Sequence, residues 1–390
     1  MLKRLIFMSV LWNMLYITPC ALFRKFPVLA SRVSYISLCD LPTPVTKLSN
    51  FGLRIGYSDC YIKRDDLTGR TKNGHRLYGG NKPRKLEWLL ADAKQKQART
   101  IITYGCVGSN HALATATYAH ELGMDTILML KHQPNSDVVR QNLILDFELH
   151  AQLCLFPDNQ SRDRACADIV ERNPYAYRIP TGGSNTIGTL GFVNAACELY
   201  EQIVQDVMPE PDVIYLPIGS CATTAGLLLG LALHNSRTKI IAVAVEPEAE
   251  PGTLQQRTQE LFVETNRLLH MVDSTIPLVN FPAEQLIINT KFCGTNYGTW
   301  TQESAFVIKL FKELEEISLE GTYSAKPINA CIDDIANGLL TSEIVLIWNT
   351  YCGLDFSFVT GKYAYQELPH EFHQYFEQDV QVTNKLMHFR

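Results

Sequence analysis

The chain has 390 residues, of which 46% are apolar and 19% are charged, a globular composition without a long low-complexity tract. This length is enough for two domains of ordinary size. The formal net charge is −5 and no basic block is present, which argues against a nucleic-acid partner. The 11 cysteines lack CxxC spacing, and this pattern predicts reduced thiols in a cytoplasmic enzyme without a zinc site.

The amino-terminal segment, residues 1–22, leaves several alternatives open. A positive start precedes a mostly apolar run, as in a signal peptide. Asn13 interrupts the run, no small-x-small cleavage site follows, and the run is too short to predict a membrane span. Met8 and Met14 also allow a later start of translation. We expect a cytoplasmic protein without a membrane partner, with a signal peptide or an anchor in this segment as the alternatives.

Predicted strands and helices alternate along most of the chain. The first long helix is predicted over 86–94, where leucines recur at helical spacing just after Pro83. The later predicted strands are TIITYG (100–105), DTILMLK (125–131), AQLCLF (151–156), DVIYLPIG (212–219) and KIIAVAVEP (239–247). The helices between them are HALATATYAHELGM (111–124), VRQNLILDFEL (139–149) and TAGLLLGLALHNS (224–236). Strand–helix–strand units of this length predict an α/β fold with parallel sheets covered by helices on both faces.

Three loops at the carboxyl ends of these strands are rich in Gly, Ser, Thr or Asn: 104–112, 179–188 and 217–226. Ligands of such sheets bind at this edge. In PIGSCATTAG (217–226), successive backbone N–H groups would meet at the positive end of a helix, which predicts a phosphate site. The loop lacks the lysine of a triphosphate-binding loop. A turn of small residues that only packs the helix against the strand is the alternative.

The segment YGGNKPRKLE (78–87) places Lys82 between two glycines and a proline. It is either a turn that opens a solvated helix or the site of a reactive lysine. Ser109 and Asn110 start a helix, and an ordinary N-cap explains one of the two. His111 is either a structural donor or a catalytic base. A lysine in a glycine-rich turn together with a phosphate loop indicates pyridoxal phosphate, whose aldehyde forms a Schiff base with a lysine amine.

Ordered motifs extend over most of the chain, from about Phe26 to Gly353. They are FPVLASRVSYISLCDLPTPV, YIKRDDLTG, GGNKPRKLE, YGCVGSNHA, GGSNTIGTLGF, GSCATTAGL and GTNYGTWTQE. Together they resemble the pyridoxal-phosphate-dependent family of D-cysteine desulfhydrases and 1-aminocyclopropane-1-carboxylate (ACC) deaminases.

This resemblance implies the tryptophan-synthase-β-like fold, or fold type II: an α/β protein with two open twisted, mainly parallel sheets flanked by helices. It also implies a homodimer that acts on a small amino-acid substrate. The implied division is a larger cofactor-binding domain of 26–95 and 190–353, a smaller α/β domain of 96–189, and extensions at 1–22 and 354–390 whose roles the sequence does not show.

By the same resemblance, Lys82 is the Schiff-base lysine, Ser109 is the acid/base serine near the substrate carboxylate, and Asn110 bonds the ring hydroxyl of the cofactor. Tyr297 of GTNYG and Tyr323 of LEGTYSAKPINACID would be the active-site tyrosines, with Tyr323 stacked on the cofactor ring. The phosphate-binding residues would be Gly219, Ser220, Cys221, Ala222 and Thr223. The substrate pocket would contain Ser109, His111 and Thr350. No metal ligand is implied.

The chain departs from the family pattern in three of these motifs. Ala222 stands where the family usually has glycine and Thr224 where it has glutamine, although backbone N–H donors survive both changes. Asn296 replaces the second glycine of the family's GxGYG motif, and Gly321 and Ala325 replace a proline and a glycine around Tyr323.

Two positions separate the activities within the family. ACC deaminases carry glutamate after the stacking tyrosine, where this chain has Ser324, and leucine late in the chain, where it has Thr350. A carboxylate beside the ring nitrogen favours its protonation and a strong electron sink, whereas a hydroxyl leaves the nitrogen neutral. The sequence therefore favours α,β-elimination from D-cysteine, which gives pyruvate, ammonia and hydrogen sulfide. ACC deamination to 2-oxobutanoate is the first alternative, and a pyridoxal-phosphate-binding protein without turnover is the second.

Overall fold

A computed structural model describes residues 20–72, 74–247 and 250–381 of the chain. Its strands are β1 (Val45–Lys47), β2 (Cys60–Arg64), β3 (Thr71–Lys72), β4 (His75–Arg76), β5 (Thr100–Cys106), β6 (Asp125–Lys131), β7 (Gln152–Phe156), β8 (Ala176–Ile179), β9 (Val213–Ile218), β10 (Lys239–Ala244), β11 (Leu286–Asn289) and β12 (Val345–Asn349). Its α-helices are α1 (Ala21–Lys25), α2 (Ser49–Ile55), α3 (Lys82–Gln95), α4 (Asn110–Glu121), α5 (Asp137–Glu148), α6 (Asn159–Arg172), α7 (Thr186–Val204), α8 (Ala222–Leu233), α9 (Pro251–Val272), α10 (Gln302–Glu315), α11 (Ala325–Ala336), α12 (Ser357–Thr360) and α13 (Gln374–Glu377).

Two mainly parallel sheets organise these elements. The larger has the strand order β1-β2-β12-β9-β10-β11, and only the edge strand β1 runs antiparallel to its neighbour. The smaller has the order β7-β6-β5-β8 and is parallel throughout. The α/β prediction is therefore confirmed. The strands of the smaller sheet all lie inside 96–189, while the division into two domains at those boundaries stays a prediction.

The central strand β9 of the larger sheet is apolar along its whole length because helices cover both faces of the sheet. Ile214, Leu216 and Ile218 of β9 point into one core cluster with residues of α7, α8 and α9. Val213 and Tyr215 alternate with them and join a second cluster with residues of α10 and α11. This period of two explains why the strand VIYLPI shows no polar face in the sequence.

The predicted long elements agree with the structure to within a few residues. For example, the strand predicted over 125–131 is β6, and the helix predicted over 111–124 is α4. The helix after Pro83 begins earlier than its leucines indicate: α3 starts at Lys82 itself. Lys82 therefore lies at the first turn of a helix, where its position is fixed by the helix that follows.

The described part of the amino-terminal region begins at residue 20. Residues 1–19, on which the alternatives of a signal peptide, an anchor or a later start depend, lie outside the described residues. Immediately after them, the backbone N–H of Leu22 donates to Asn194 Oδ1 of α7 at 2.9 Å, which attaches α1 to the larger sheet's helices. None of the helices in the described ranges has the length and apolar character needed to cross a membrane.

Candidate active site

A cavity of about 660 Å³ lies at the carboxyl ends of strands from both sheets. Loops after β5, β6 and β8 of the smaller sheet and after β9, β10 and β12 of the larger sheet contribute to its wall. Predicted site residues on this wall are Lys82, Ser109, Asn110, His111, Gly219, Ser220, Cys221, Thr223, Tyr297, Tyr323 and Thr350. The structure thus brings together residues that are up to 268 positions apart (350 − 82).

Lys82 is held on the cavity wall by its neighbour in the GGNK turn. Its Nζ donates to Asn81 Oδ1 at 2.8 Å and lies 5.7 Å from the ring centre of Tyr323. Burial lowers the pKa of Lys82 to about 8, although the Glu320 carboxylate acts in the opposite direction. A lysine with this pKa is neutral in an appreciable fraction of molecules near neutral pH, which is the state that a nucleophilic amine requires.

Asn81 also ties Lys82 to two other parts of the site. Its Nδ2 donates to Thr223 Oγ1 at 3.2 Å, and its backbone N–H donates to the Thr350 carbonyl at 3.1 Å. Gly80 allows this arrangement because a Cβ there would lie 2.7 Å from the Thr350 carbonyl oxygen, and its φ of +85° is left-handed. One asparagine therefore links the lysine, the phosphate loop and the substrate pocket that the sequence predicts.

The loop after β9 has the geometry of an anion cradle. Cys221 adopts a left-handed conformation (φ 71°, ψ −22°) immediately before α8, a position where a residue other than glycine is uncommon. Successive backbone N–H groups at such a turn and helix start favour a bound anion. Thr224 lies in the first turn of α8 on the cavity wall, and its buried Oγ1 has no hydrogen-bond partner within the described chain. A phosphate oxygen would satisfy this hydroxyl.

Two loops of small residues meet beside this cradle. Ser184 Oγ donates to Ser220 Oγ at 2.7 Å. A Cβ on Gly182 would lie 2.2 Å from the same Ser220 oxygen, so the loop after β8 can approach the loop after β9 only with glycine there. The Lys85 amine donates to the Gly182 carbonyl at 3.0 Å on this side of the cavity, and burial lowers the pKa of this amine well below its ordinary value.

The start of α4 presents three polar residues of the second predicted loop. Ser109 is the N-cap, and its Oγ accepts from the Ala112 N–H at 3.1 Å, which leaves its own proton free to donate. Asn110 Oδ1 accepts from the Tyr78 hydroxyl at 2.9 Å. His111 Nε2 lies 2.9 Å from Thr103 Oγ1.

His111 is a neutral residue at physiological pH. Burial lowers its pKa well below the ordinary value, and the nearby Lys82 and Lys85 amines act in the same direction. Because Thr103 donates its own proton to the Ile179 carbonyl at 3.1 Å, Thr103 Oγ1 accepts from His111 Nε2–H. The histidine is thus fixed by a hydrogen bond on the cavity wall, and it lacks the positive charge that would repel Lys82.

The two predicted tyrosines form a pair. The Tyr297 and Tyr323 hydroxyl oxygens are 2.5 Å apart, and the rings meet edge to face at a centroid distance of 6.1 Å. Burial raises the pKa of both phenols above the ordinary value. Both are therefore neutral donors at physiological pH, and the shared hydrogen bond fixes the direction of one hydroxyl relative to the other.

Two predicted residues are not on the cavity wall. Ala222 lies fully buried at the first position of α8, where its side chain makes no part of the cavity surface. Ser324 is also buried, and its Oγ accepts from the Glu320 N–H at 2.8 Å. The predicted role of Ala222 needs only its backbone N–H. The predicted role of Ser324, which needs its hydroxyl at the cofactor ring, stays a prediction.

Sequence reasoning missed several residues of the wall, including Asn81, Lys85, Lys131, His132, Gln133, Arg162 and Glu246. A signal existed for one group. His132 and Gln133 directly follow the predicted strand 125–131, and the rule that directed attention to the other strand ends applies there too. Glu246 lies at the end of the predicted strand 239–247, where the same rule applies, whereas the position of Lys85 follows from tertiary packing.

Comparisons with known proteins identify the family of the chain. Residues 36–350 match the family of pyridoxal-phosphate dependent enzymes. A D-cysteine desulfhydrase of Yersinia enterocolitica is 32% identical over 308 residues, which are 77% of this chain and 88% of the relative. A protein of Pyrococcus furiosus, named provisionally as an ACC deaminase, is 31% identical over 329 residues, 83% of this chain and 93% of the relative.

A solved structure described as an ACC deaminase homologue is similar with a TM-score of 0.70 and 30% identity, and the match covers 86% of this chain and 97% of that one. The chain therefore belongs to the family of pyridoxal-phosphate-dependent enzymes and has the fold type II architecture that the resemblance implied. Its cavity residues fit the cofactor: a buried amine at Lys82, a backbone cradle at Cys221 and an unsatisfied hydroxyl at Thr224.

Proposed function

We propose that this enzyme catalyses α,β-elimination from a D-amino acid with a β leaving group, with D-cysteine as the first candidate. Overall, D-cysteine and water give pyruvate, ammonia and hydrogen sulfide. The observation that carries the choice is that a serine, Ser324, follows Tyr323, where ACC deaminases carry glutamate. It supports a cofactor ring whose nitrogen has no carboxylate partner at this position and stays neutral, and a neutral ring suffices to expel a good leaving group such as a thiolate.

The Glu320 carboxylate, close in sequence to Ser324, accepts hydrogen bonds from the backbone. Glu320 accepts from the N–H groups of Thr322, Tyr323 and Ser324 at 2.7, 2.8 and 2.8 Å. Three such hydrogen bonds fix the carboxylate in the turn before α11. Glu320 is not among the residues on the cavity wall. It therefore does not replace the glutamate that ACC deaminases carry at the position of Ser324.

The proposed roles combine the roles that the family resemblance implies with the hydrogen bonds and burial of these side chains. Pyridoxal phosphate, when bound, supplies an aldehyde for amines and a ring that accepts electron density. Lys82, with its lowered pKa, holds the cofactor and takes the α-proton of the substrate. The Ser109 hydroxyl donates a hydrogen bond to the substrate carboxylate. The neutral Tyr297 and Tyr323 hydroxyls donate hydrogen bonds that orient the departing sulfur, and their rings cover the cofactor.

The remaining predicted residues bind and orient. The loop Gly219–Thr223 holds the phosphate through its backbone N–H groups, and the Asn110 side chain bonds the ring oxygen. His111 and Thr350 shape the pocket for the substrate. We also propose that the two sheets belong to two domains, 26–95 with 190–353 and 96–189, and that the enzyme acts as a homodimer.

A second candidate function is ACC deamination, because the Pyrococcus furiosus relative carries that name at 31% identity. A single assay separates the two. The purified protein, loaded with pyridoxal phosphate, is incubated separately with D-cysteine, L-cysteine and ACC while sulfide and 2-oxoacid are followed. We expect turnover of D-cysteine. Turnover of ACC with none of D-cysteine would refute the proposal.

The residues held responsible for this choice can be exchanged. Ser324→Glu combined with Thr350→Leu should lower D-cysteine turnover and raise ACC turnover by at least tenfold each, because a carboxylate beside the ring nitrogen favours the protonated form of that nitrogen. Thr322→Glu is the matched control, since it adds a carboxylate two residues away on the same turn. An equal response of the two proteins would show that position 324 does not face the ring.

A further inference from the structure

A short segment near the carboxyl end joins two loops of the active-site wall. Residues 374–381, here called the C-terminal strap, begin with α13 and run on to the last described residue. One of the two loops is 132–135, after β6, and the other is 296–300, which carries Tyr297. The family match ends at residue 350, so the strap is an addition outside the matched range.

The strap is attached firmly to the first loop. Tyr375 is 3% exposed, and its hydroxyl lies 2.6 Å from Nδ1 of His132 on the cavity wall. Asn135 Nδ2 donates to the carbonyls of Tyr375 and Gln378 at 2.8 and 3.0 Å. Arg140 donates to the same two carbonyls at 2.8 and 2.7 Å. Side chains that satisfy these two backbone carbonyls, three residues apart, fix the path of the strap.

Gln381 carries the connection across to the second loop. Its backbone N–H donates to the Asn135 carbonyl at 3.1 Å. Its side chain is fully used: Nε2 donates to the Gly298 carbonyl at 2.9 Å, and Oε1 accepts from the Trp300 N–H at 3.0 Å. The same amide therefore binds the backbone on both sides of Thr299. This residue lies two positions after Tyr297.

The second loop needs such a support because it has little regular structure of its own. It connects β11 to α10, and Gly294 and Gly298 adopt left-handed conformations with φ near +79° and +80°. One backbone hydrogen bond, from Thr299 N–H to the Asn296 carbonyl at 3.1 Å, closes it internally. A loop with so few internal bonds opens at low cost, and a second segment that ties it down restricts that motion.

We propose that the C-terminal strap, through Gln381, positions Tyr297 for turnover. The inference rests on the proposed role of Tyr297, whose hydroxyl is 2.5 Å from that of Tyr323. A tyrosine that must meet a partner hydroxyl and a substrate atom tolerates little displacement, since misplacement by about 1 Å costs on the order of 100-fold in rate. Gln381 is thus a positioning residue that acts through the loop and touches no reacting atom.

Hydrogen exchange of the full-length, cofactor-loaded protein tests the contact directly. In Gln381→Ala, exchange of the peptide that spans 294–301 should quicken about fivefold to tenfold, the effect of losing one ordinary hydrogen bond or two. Gln378→Ala is the matched control: its side chain is exposed and makes no hydrogen bond within the described residues, while its carbonyl keeps the contacts to Asn135 and Arg140. This control should exchange like the unaltered protein.

Steady-state kinetics then test the consequence. Gln381→Ala should lower kcat about tenfold and leave KM within twofold, at an unchanged melting temperature, because the loop acts on bound substrate. Tyr375→Phe, which keeps the buried ring and removes only the hydroxyl, should leave the 294–301 exchange unchanged. Equal exchange in Gln381→Ala and Gln378→Ala would overturn the proposal, as would a kcat unaffected by faster exchange. If D-cysteine is not a substrate at all, the proposed function fails while the exchange comparison still decides whether the strap holds the loop.

Discussion

The helix that presents Lys82 is anchored by a buried ion network, and Glu198→Gln tests it. Arg84 lies two residues after Lys82 and is fully buried. It donates to Asp65 at 2.9 and 2.7 Å and to both carboxylate oxygens of Glu198 at 3.0 Å. Lys63 Nζ reaches Glu198 Oε1 at 2.6 Å. Burial alone would raise the pKa of Glu198, but the two cations lower it to about 2.

The size of the destabilisation follows from the contacts that a glutamine at position 198 would lose. Its amide group would replace one oxygen that accepts from Arg84, so a donor would face a donor. Two buried cations, Lys63 and Arg84, would then share the single carboxylate of Asp65. Removing one partner of a buried ion pair costs about 3–5 kcal/mol, because the remaining charge stays buried without compensation. We expect the free energy of unfolding to fall by about that amount.

Urea unfolding at pH 7 measures this change, and Trp348 reports it locally because its indole N–H donates to Asp65 at 2.7 Å. Glu201→Gln is the matched control on the same helix, α7: the Glu201 pair with Arg24 is partly exposed, with side chains 33% and 25% accessible. Exposed pairs contribute about 0–1 kcal/mol, so this variant should change little. Equal destabilisation by the two variants would refute the reasoning.

The pH dependence of stability is an independent test of the lowered pKa of Glu198. A carboxylate with a folded-state pKa of about 2, below its ordinary value of about 4.3, contributes stability that is present above the ordinary value and is lost as the pH falls toward 2. The unaltered protein should therefore lose more stability than Glu198→Gln between about pH 5 and pH 2. A constant difference between the two proteins over this window would contradict the assignment.

The remaining predictions concern the cavity itself. Because the pKa of Lys82 is lowered to about 8, incorporation of pyridoxal phosphate into the apo-protein should be half-maximal near pH 8 and fall about tenfold per pH unit below it, as followed by visible absorbance. Tyr323→Phe keeps the ring and removes the bond to Tyr297, so kcat should fall about 10²-fold in steady-state assays with cofactor affinity within threefold. Thr224→Val removes a hydroxyl without a partner in the described chain, so the apo-protein should keep its melting temperature while the Kd for pyridoxal phosphate rises about tenfold in a titration. An equal loss of apo-protein stability would show that Thr224 bonds within the protein.

The sequence predicted the fold well where the local pattern and the tertiary structure agree. The strands β5, β6 and β9 are short apolar runs bounded by turn residues, and such runs have few other ways to be buried. The strand order could not be predicted in the same way. β12 lies between β2 and β9 although it follows them by more than a hundred residues, because pairing across such distances depends on the packing of whole helices.

For the active site, the sequence motifs located residues that lie on the cavity wall, but the contacts between side chains could not be predicted. Lys82 and Tyr323 were predicted from their motifs, and the structure places both on one cavity wall. Ser324 was predicted from its neighbour, but the direction of a side chain at a helix start depends on the local turn, and here its hydroxyl bonds the Glu320 backbone. The strap could not be predicted at all, since the sequence of 354–390 has little periodicity, and the role of 374–381 depends on the loops that this segment contacts.

The covalent attachment of the cofactor to Lys82 is the claim on which the account depends. The cofactor-loaded protein is reduced with borohydride, digested with trypsin and analysed by mass spectrometry. Lys82 falls in the peptide 77–84, LYGGNKPR, where it is the sole lysine, whereas Lys85 falls in the next peptide, so the two buried amines are separated. The account predicts the phosphopyridoxyl label on the peptide 77–84. A label on the peptide that contains Lys85, or on neither, would contradict it.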